Sequence, residues 1–80
     1  LRTGSSGTAV RELQFYLYLM SAYESSIPPV SIDGKFGADT ERAVRAYQRF
    51  AGLTVDGIVG RTTWNSLYGR ASQLRSSGLL

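Results

Sequence analysis

Asp33 and Asp56 stand 23 positions apart, each followed by glycine, in the twin phrases DGKFGADT and DGIVGRTT. Two carboxylates in matched settings are the raw material of glycoside hydrolysis, one as acid and one as nucleophile. Turn chemistry offers the stronger reading, in which aspartate before glycine accepts backbone amides while glycine takes a positive φ. Beyond this pair the chain holds no histidine and no cysteine, which removes imidazole bases, thiolate nucleophiles and the usual zinc ligand sets. No nucleophile motif is present either, so independent catalysis, a metal and a cofactor are not expected.

Other side chains are suited to holding a ligand rather than transforming one. Gln14 and Gln48 follow the inner apolar residues of two helices, where an amide is expected to bond loop backbone inside the module before it touches a ligand. Trp64, the sole tryptophan, can stack on a sugar face, but at the start of a short amphipathic helix it reads first as core. Arg42, Arg45 and Arg49 line the outer side of one helix. With Glu41 four residues before Arg45, a solvated and paired face is the better account of them than an anion site. The remaining ligand candidates are exposed groups that folding does not demand. These are Arg11 and Tyr18, close together on the first helix wheel, and Arg61 and Thr62, which fill slots where the first phrase has Ala38 and Asp39. Arginine suits carboxylates and tyrosine suits sugar faces.

The elements that must position these groups follow from period and punctuation. VSIDGKFGADT (30–40) and LTVDGIVGRTT (53–63) are identical or equivalent in role except at Lys35 against Ile58 and at Ala38 and Asp39 against Arg61 and Thr62. Each opens with an alternating triplet that predicts a very short strand, turns at Asp-Gly, drops one apolar residue (Phe36, Val59) toward a common core, and meets a second glycine where a helix begins. Two such strands are expected to pair. Ala43, Val44, Tyr47, Phe50 and Ala51 form the stripe of a helix over 38–51 that Gly52 stops. Trp64, Leu67 and Tyr68 predict a shorter helix ending near Gly69. Upstream, AVRELQ (9–14) echoes AVRAYQ (43–48), and Val10, Leu13, Leu17 and Met20 give the first helix its inner stripe. Phe15, Leu19 and Ala22 lie on roughly its opposite side, so this helix needs cover on a second face, from Ile27 and the two prolines or from a partner.

Eighty residues allow one domain with one small core. The division expected is a helical domain over 1–69 and a tail or linker over 70–80. The net charge of +3 is a mild attraction to polyanions, and with no dense basic patch or recognisable motif nucleic acid is not an expected partner. No run reaches the roughly 20 apolar residues of a membrane span. The chain starts at Leu1 rather than methionine, as expected of a piece of a longer protein whose secretion signal, if any, lies upstream.

The ordered set Gly4-x-x-Gly7-x-x-Val10-x-x-Leu13-Gln14, Asp33-Gly34-x-Phe36-Gly37-x-x-Thr40-x-x-Ala43-Val44-x-x-Tyr47-Gln48 and Gly52-Leu53-x-Val55-Asp56-Gly57-Ile58-Val59-Gly60-x-x-Thr63-Trp64-x-x-Leu67 resembles the three-helix peptidoglycan-binding domain of bacterial cell-wall hydrolases. The resemblance covers about residues 1–68. It implies a mainly α, compact three-helix bundle carrying the two strand-turn-helix repeats. It also implies a noncatalytic, monomeric module, outside the cell or in the wall, that holds a linked or neighbouring hydrolase on murein. Under it, Arg11 and Arg61 would meet stem-peptide carboxylates, and Tyr18 and Thr62 would complete the ligand surface. The alternative is a protein-interaction module that docks on its own catalytic domain through the aromatic outer side of the first helix.

Overall fold

The computed structural model describes residues 1–76 and contains three helices: α1 (Thr8–Tyr23), α2 (Ala38–Ala51) and α3 (Arg61–Ser76). The inner stripe of α1 is buried as its spacing requires, with Val10, Leu13, Leu17 and Met20 all but inaccessible. Ala43, Val44 and Tyr47 of α2 meet it, while Phe50 at the end of that stripe stays partly open, with the Arg70 guanidinium 5.4 Å from its ring centroid. Phe36 and Val59 both enter this core. Burying side chains of this kind contributes about 1.5–3 kcal/mol each. Gly52 ends α2 in the left-handed conformation (φ 74°), with the Leu53 amide donating to the Gln48 carbonyl at 2.8 Å and the Gly52 amide to Arg49 at 3.3 Å. That is the Schellman arrangement, and it needs a residue without Cβ strain.

Two expectations are corrected. The alternating triplets at 30–32 and 53–55 do not form strands, and among the described residues the only ladder element is an isolated antiparallel bridge between Ser6 and Lys35. Ile32 and Val55 remain exposed, so alternation did not buy a buried face. The loops pair instead with the segment before α1. Gly4 N–H donates to Phe36 O, Phe36 N–H to Ser5 O, and Gly7 N–H to Gly34 O, all at 2.9–3.0 Å. Leu1 and Val59 exchange two backbone bonds in the same way, at 2.7 and 2.8 Å. The N-terminal segment thus ties both repeats together, and the repeats have no need of each other's edges.

The second correction concerns the third helix, which does not end near Gly69 but runs through Ser76. Ala71 and Leu74 are buried, continuing the spacing of Leu67 by four and then three residues. This packing outweighs the roughly 1 kcal/mol that an interior glycine costs a helix. Helix α3 as a whole covers α1 beyond its inner stripe, the extension contributing Arg75 over Phe15. Tyr16 is packed edge-on by Trp64 and Tyr68 (centroids 5.8 and 5.6 Å), and the Arg75 guanidinium lies 5.5 Å from the Phe15 ring centroid. Ile27 is buried as expected, whereas Pro28 is only partly covered and Pro29 is exposed. Of the tail expected over 70–80, residues 70–76 are therefore helical and 77–80 lie outside the described residues.

Candidate functional site

The loops that could meet a ligand are shaped by two buried glutamines. Gln14 Nε2 donates to Asp33 Oδ1 (3.0 Å), the Lys35 carbonyl (2.9 Å) and Thr40 Oγ1 (3.1 Å), while its Oε1 accepts the Gly34 amide at 2.8 Å. Gln48 does the same one repeat later. Its Nε2 reaches Asp56 Oδ1 (2.9 Å), the Ile58 carbonyl (3.1 Å) and Thr63 Oγ1 (3.2 Å), and its Oε1 accepts the amides of Asp56 (3.1 Å) and Gly57 (3.0 Å). A helix side chain thus takes the part a neighbouring strand would otherwise play, which satisfies the buried polar groups of the turn.

The aspartates complete the turns. Asp33 Oδ1 accepts the Lys35 amide and Asp56 Oδ1 the Ile58 amide, each at 2.9 Å. These backbone bonds first, and the glutamine amides second, hold both carboxyls below their ordinary value. One oxygen of each carboxylate is thus engaged in closing its own turn. The neighbouring glycines adopt φ 78° (Gly34) and 73° (Gly57). A Cβ on Gly34 would lie 3.0 Å from Arg11 Nε, and one on Gly57 would lie 3.0 Å from Arg45 Nε. The arginine of each AVR phrase therefore lies across the glycine of its own turn. Glutamine, arginine, Asp-Gly and threonine form one clamp, built twice.

At the start of α3 this clamp leaves a cavity of about 380 Å³ lined by Thr54, Asp56, Ile58, Arg61 and Thr62. A more apolar cavity of about 470 Å³ adjoins it, lined by Leu1, Ala9, Val59, Trp64 and Asn65, and Gly60 and Arg61 border both. The same plan appears at the start of α2, with a cavity of about 220 Å³ along Ser31, Asp33, Lys35 and Asp39 and another of about 360 Å³ along Thr3, Glu41, Arg42 and Arg45. Ala38 borders both of those, in the position of Arg61. In the α2 cleft the charges pair among themselves, Arg42 with Asp39 at 3.3 Å and Arg45 with Glu41 at 3.2 Å. Glu41 also accepts the Thr3 hydroxyl at 2.6 Å. The Thr3 bond first and Arg45 second lower the Glu41 carboxyl.

Of the ligand residues expected from sequence, Arg61 and Thr62 come together on one cavity wall. Arg11 and Tyr18 do not line it. Arg11 packs on Gly34, and Tyr18 is half exposed farther along α1, its carbonyl taking the Ser21 hydroxyl at 2.6 Å. Trp64 is partly buried against the core yet also walls the apolar cavity, so the core and ligand readings of it are not exclusive. Thr54 and Asn65 also line these cavities and are not among the residues expected from sequence, and Asp56, considered there as one of a catalytic pair, lines the first. Aligning the two phrases as far as residue 65 shows the signal, because Ala38, Asp39, Glu41 and Arg42 become Arg61, Thr62, Trp64 and Asn65. Among the described residues no group of three histidines, cysteines or carboxylates is placed to hold a metal, and no helix is long and apolar enough to cross a membrane.

Comparison with known proteins finds that a family model described as "Putative peptidoglycan binding domain" matches residues 6–67. The chain is 43% identical over 68 residues to the zinc D-Ala-D-Ala carboxypeptidase of Streptomyces albus G, covering 85% of this chain and 26% of that protein. It is 40% identical over 67 residues to the N-acetylmuramoyl-L-alanine amidase CwlL of Bacillus licheniformis, covering 84% and 18%. The chain thus spans about a quarter or less of either relative. Among solved structures, the SleB N-terminal domain superimposes with a TM-score of 0.75 at 35% identity, over 89% of this chain and 90% of that one.

Proposed function

Because the chain belongs to the peptidoglycan-binding domain family and is a peptidoglycan-binding module, we propose that its task is to hold a linked or neighbouring hydrolase on murein while doing no chemistry itself. The observation that carries this reading is the family match across both repeats, residues 6–67. The relatives that share the stretch are a carboxypeptidase and an amidase of cell-wall substrates, much longer than this chain. The gain is one of effective concentration, since an enzyme tethered beside an insoluble polymer meets its bonds repeatedly without any new catalytic contact. The setting that goes with it is the outer face of the cell or the wall, with the module acting as a monomer. In this reading Arg61 and Thr62 contact the polymer, and residues up to Ser76 belong to the anchor because Ala71 and Leu74 are part of its core. Sedimentation with purified sacculi tests the proposal. The module should pellet with murein in proportion to the murein added, and a folded module that stays in the supernatant at low salt refutes it.

A further inference from the structure

The two clefts are an internal comparison, since one backbone plan is furnished twice with different side chains. We infer that the cleft at the start of α3, and not its counterpart at α2, is a subsite for an uncharged, acetamido-bearing sugar unit of the wall glycan. The inference rests on the anchor reading above and names the part of the polymer that is gripped.

In the α2 cleft both arginines and Glu41 are already engaged, while the Lys35 ammonium has no ion pair among the described residues and gives that cleft a net cationic group. Asp39 holds Arg42, and Glu41 holds Arg45 and Thr3. In the α3 cleft the side chains of Arg61, Thr62 and Asn65 have no hydrogen bond or ion pair among the described residues. Donors and acceptors left free on a cavity wall are what a ligand requires, because water is their only competing partner.

The charges of the more polar cavity decide the ligand class. Asp56 and Arg61 face the same cavity and cancel. Asp56 Oδ1 is taken by the Ile58 amide and Gln48, which leaves Oδ2 as an acceptor. A free carboxylate would meet Asp56 and an ammonium would meet Arg61, each losing on one side what it gains on the other. A neutral group carrying hydroxyls and an amide satisfies both. Next to it, beyond Arg61, the cavity walled by Val59, Ala9 and Trp64 offers an apolar surface for an acetamido methyl and an indole for a sugar face, with the Asn65 amide beside it. The volumes, about 380 and 470 Å³, lie within the range of about 300–1,000 Å³ typical of small-molecule sites.

Trp64 is the only tryptophan, so its emission reports on this cleft alone. Titration with a soluble oligomer of N-acetylglucosamine should give a saturable change in emission that differs little between low and high salt. Arg61→Ala combined with Thr62→Ala, both exposed and outside the clamp, should weaken it about tenfold or more, the loss expected for a bond to a charged group. Arg42→Ala, in the α2 cleft, should leave it unchanged. An absent response, a response indifferent to the double substitution, or a salt-sensitive response to a D-alanyl-D-alanine peptide in place of the oligomer would overturn the sugar site. Sacculus sedimentation separates the two ideas. If wild type and double variant pellet alike, the anchor stands and this subsite falls. If the wild type binds the oligomer but does not pellet, the sugar site stands and the anchor falls.

Discussion

Replacing Gln48 by alanine should remove a large part of the stability of this domain. The side chain is fully buried and bonds five groups, three through Nε2 and two through Oε1. Truncation leaves them all without that partner. Asp56 and Ile58 are exposed residues whose backbone can turn to water, but Gly57 and Thr63 are buried. Two buried polar groups without partners cost about 1–3 kcal/mol each, so a loss of about 3 kcal/mol is a conservative expectation. A domain of this length has roughly 4–12 kcal/mol in all, scaling from about 0.05–0.15 kcal/mol per residue. In urea the midpoint should fall by up to about 3 M for a slope near 1 kcal/mol/M, with the slope unchanged. Amide hydrogen exchange localises the damage: Gly57 should lose protection while Gly34 keeps it, and Gln14→Ala should do the reverse. Gln48→Glu sharpens the test, because the introduced carboxyl keeps the acceptor role but faces the Asp56 carboxylate and the Ile58 carbonyl, which have no hydrogens to offer, and only the Thr63 hydroxyl can turn to donate. Its pKa is raised in the folded state, so that variant should gain stability relative to wild type as the pH falls toward protonation. If Gln48→Ala unfolds within about 0.5 kcal/mol of wild type, the change typical of an uninvolved surface position, and Gly57 stays protected, the clamp is not what holds the loop.

Four further outcomes are expected. Asp33 and Asp56 carry folded-state pKa values below the ordinary 3.8, so the stability they contribute is present above that value and is lost as pH falls through the folded values. Urea midpoints measured from neutral to strongly acid pH should drop at the acid end, and Asp33→Asn with Asp56→Asn should flatten that drop. Gly57→Ala should destabilise by about 1–2 kcal/mol, the cost of the left-handed region for an L-residue, because φ is 73° and Arg45 and Glu41 atoms stand 3.0 Å from the new Cβ. Gly69→Ala, by contrast, sits inside α3 with nothing within 4 Å and should raise the thermal midpoint by several degrees, as about 1 kcal/mol of helix propensity allows. Leu74→Ala should cost about 2–3 kcal/mol by chemical denaturation if the last turns of α3 belong to the core, and close to nothing if they are a tail.

The helices were legible where period and punctuation agreed. The stripe of α2, its stop at Gly52 and the inward turn of Phe36 and Val59 all follow from spacing. The strands were misread because alternation over three residues records only that a chain is extended. It does not say whether anything pairs with it, and here the glutamines and the segment before α1 bond the turns that follow, at 34–36 and 56–59, rather than the triplets. Gly69 misled in the opposite way, since a local breaker was weighed without the buried positions Ala71 and Leu74 beyond it. At the site, Arg61 and Thr62 were legible as the variable slots of a repeat, whereas Arg11 was not separable from them, because packing of an arginine across a glycine leaves no mark in one sequence.

Duplication of the clamp explains why a small domain can keep its fold while changing its surface. Glutamine, Asp-Gly and threonine are repeated without substitution at 14, 33–34 and 40 and at 48, 56–57 and 63, and these are the groups whose bonds close each loop. Positions 38, 39, 41 and 42 differ from 61, 62, 64 and 65 throughout, and in the second copy they carry no part of the closure. Stability and recognition are therefore carried by different residues of the same turn. The α2 copy uses its free positions for ion pairs on its own helix, which at exposed sites contribute little. The α3 copy leaves them open beside an indole and a guanidinium, so changing Arg61 or Thr62 should alter retention on murein with little effect on unfolding, while changing Gln48 should do the opposite.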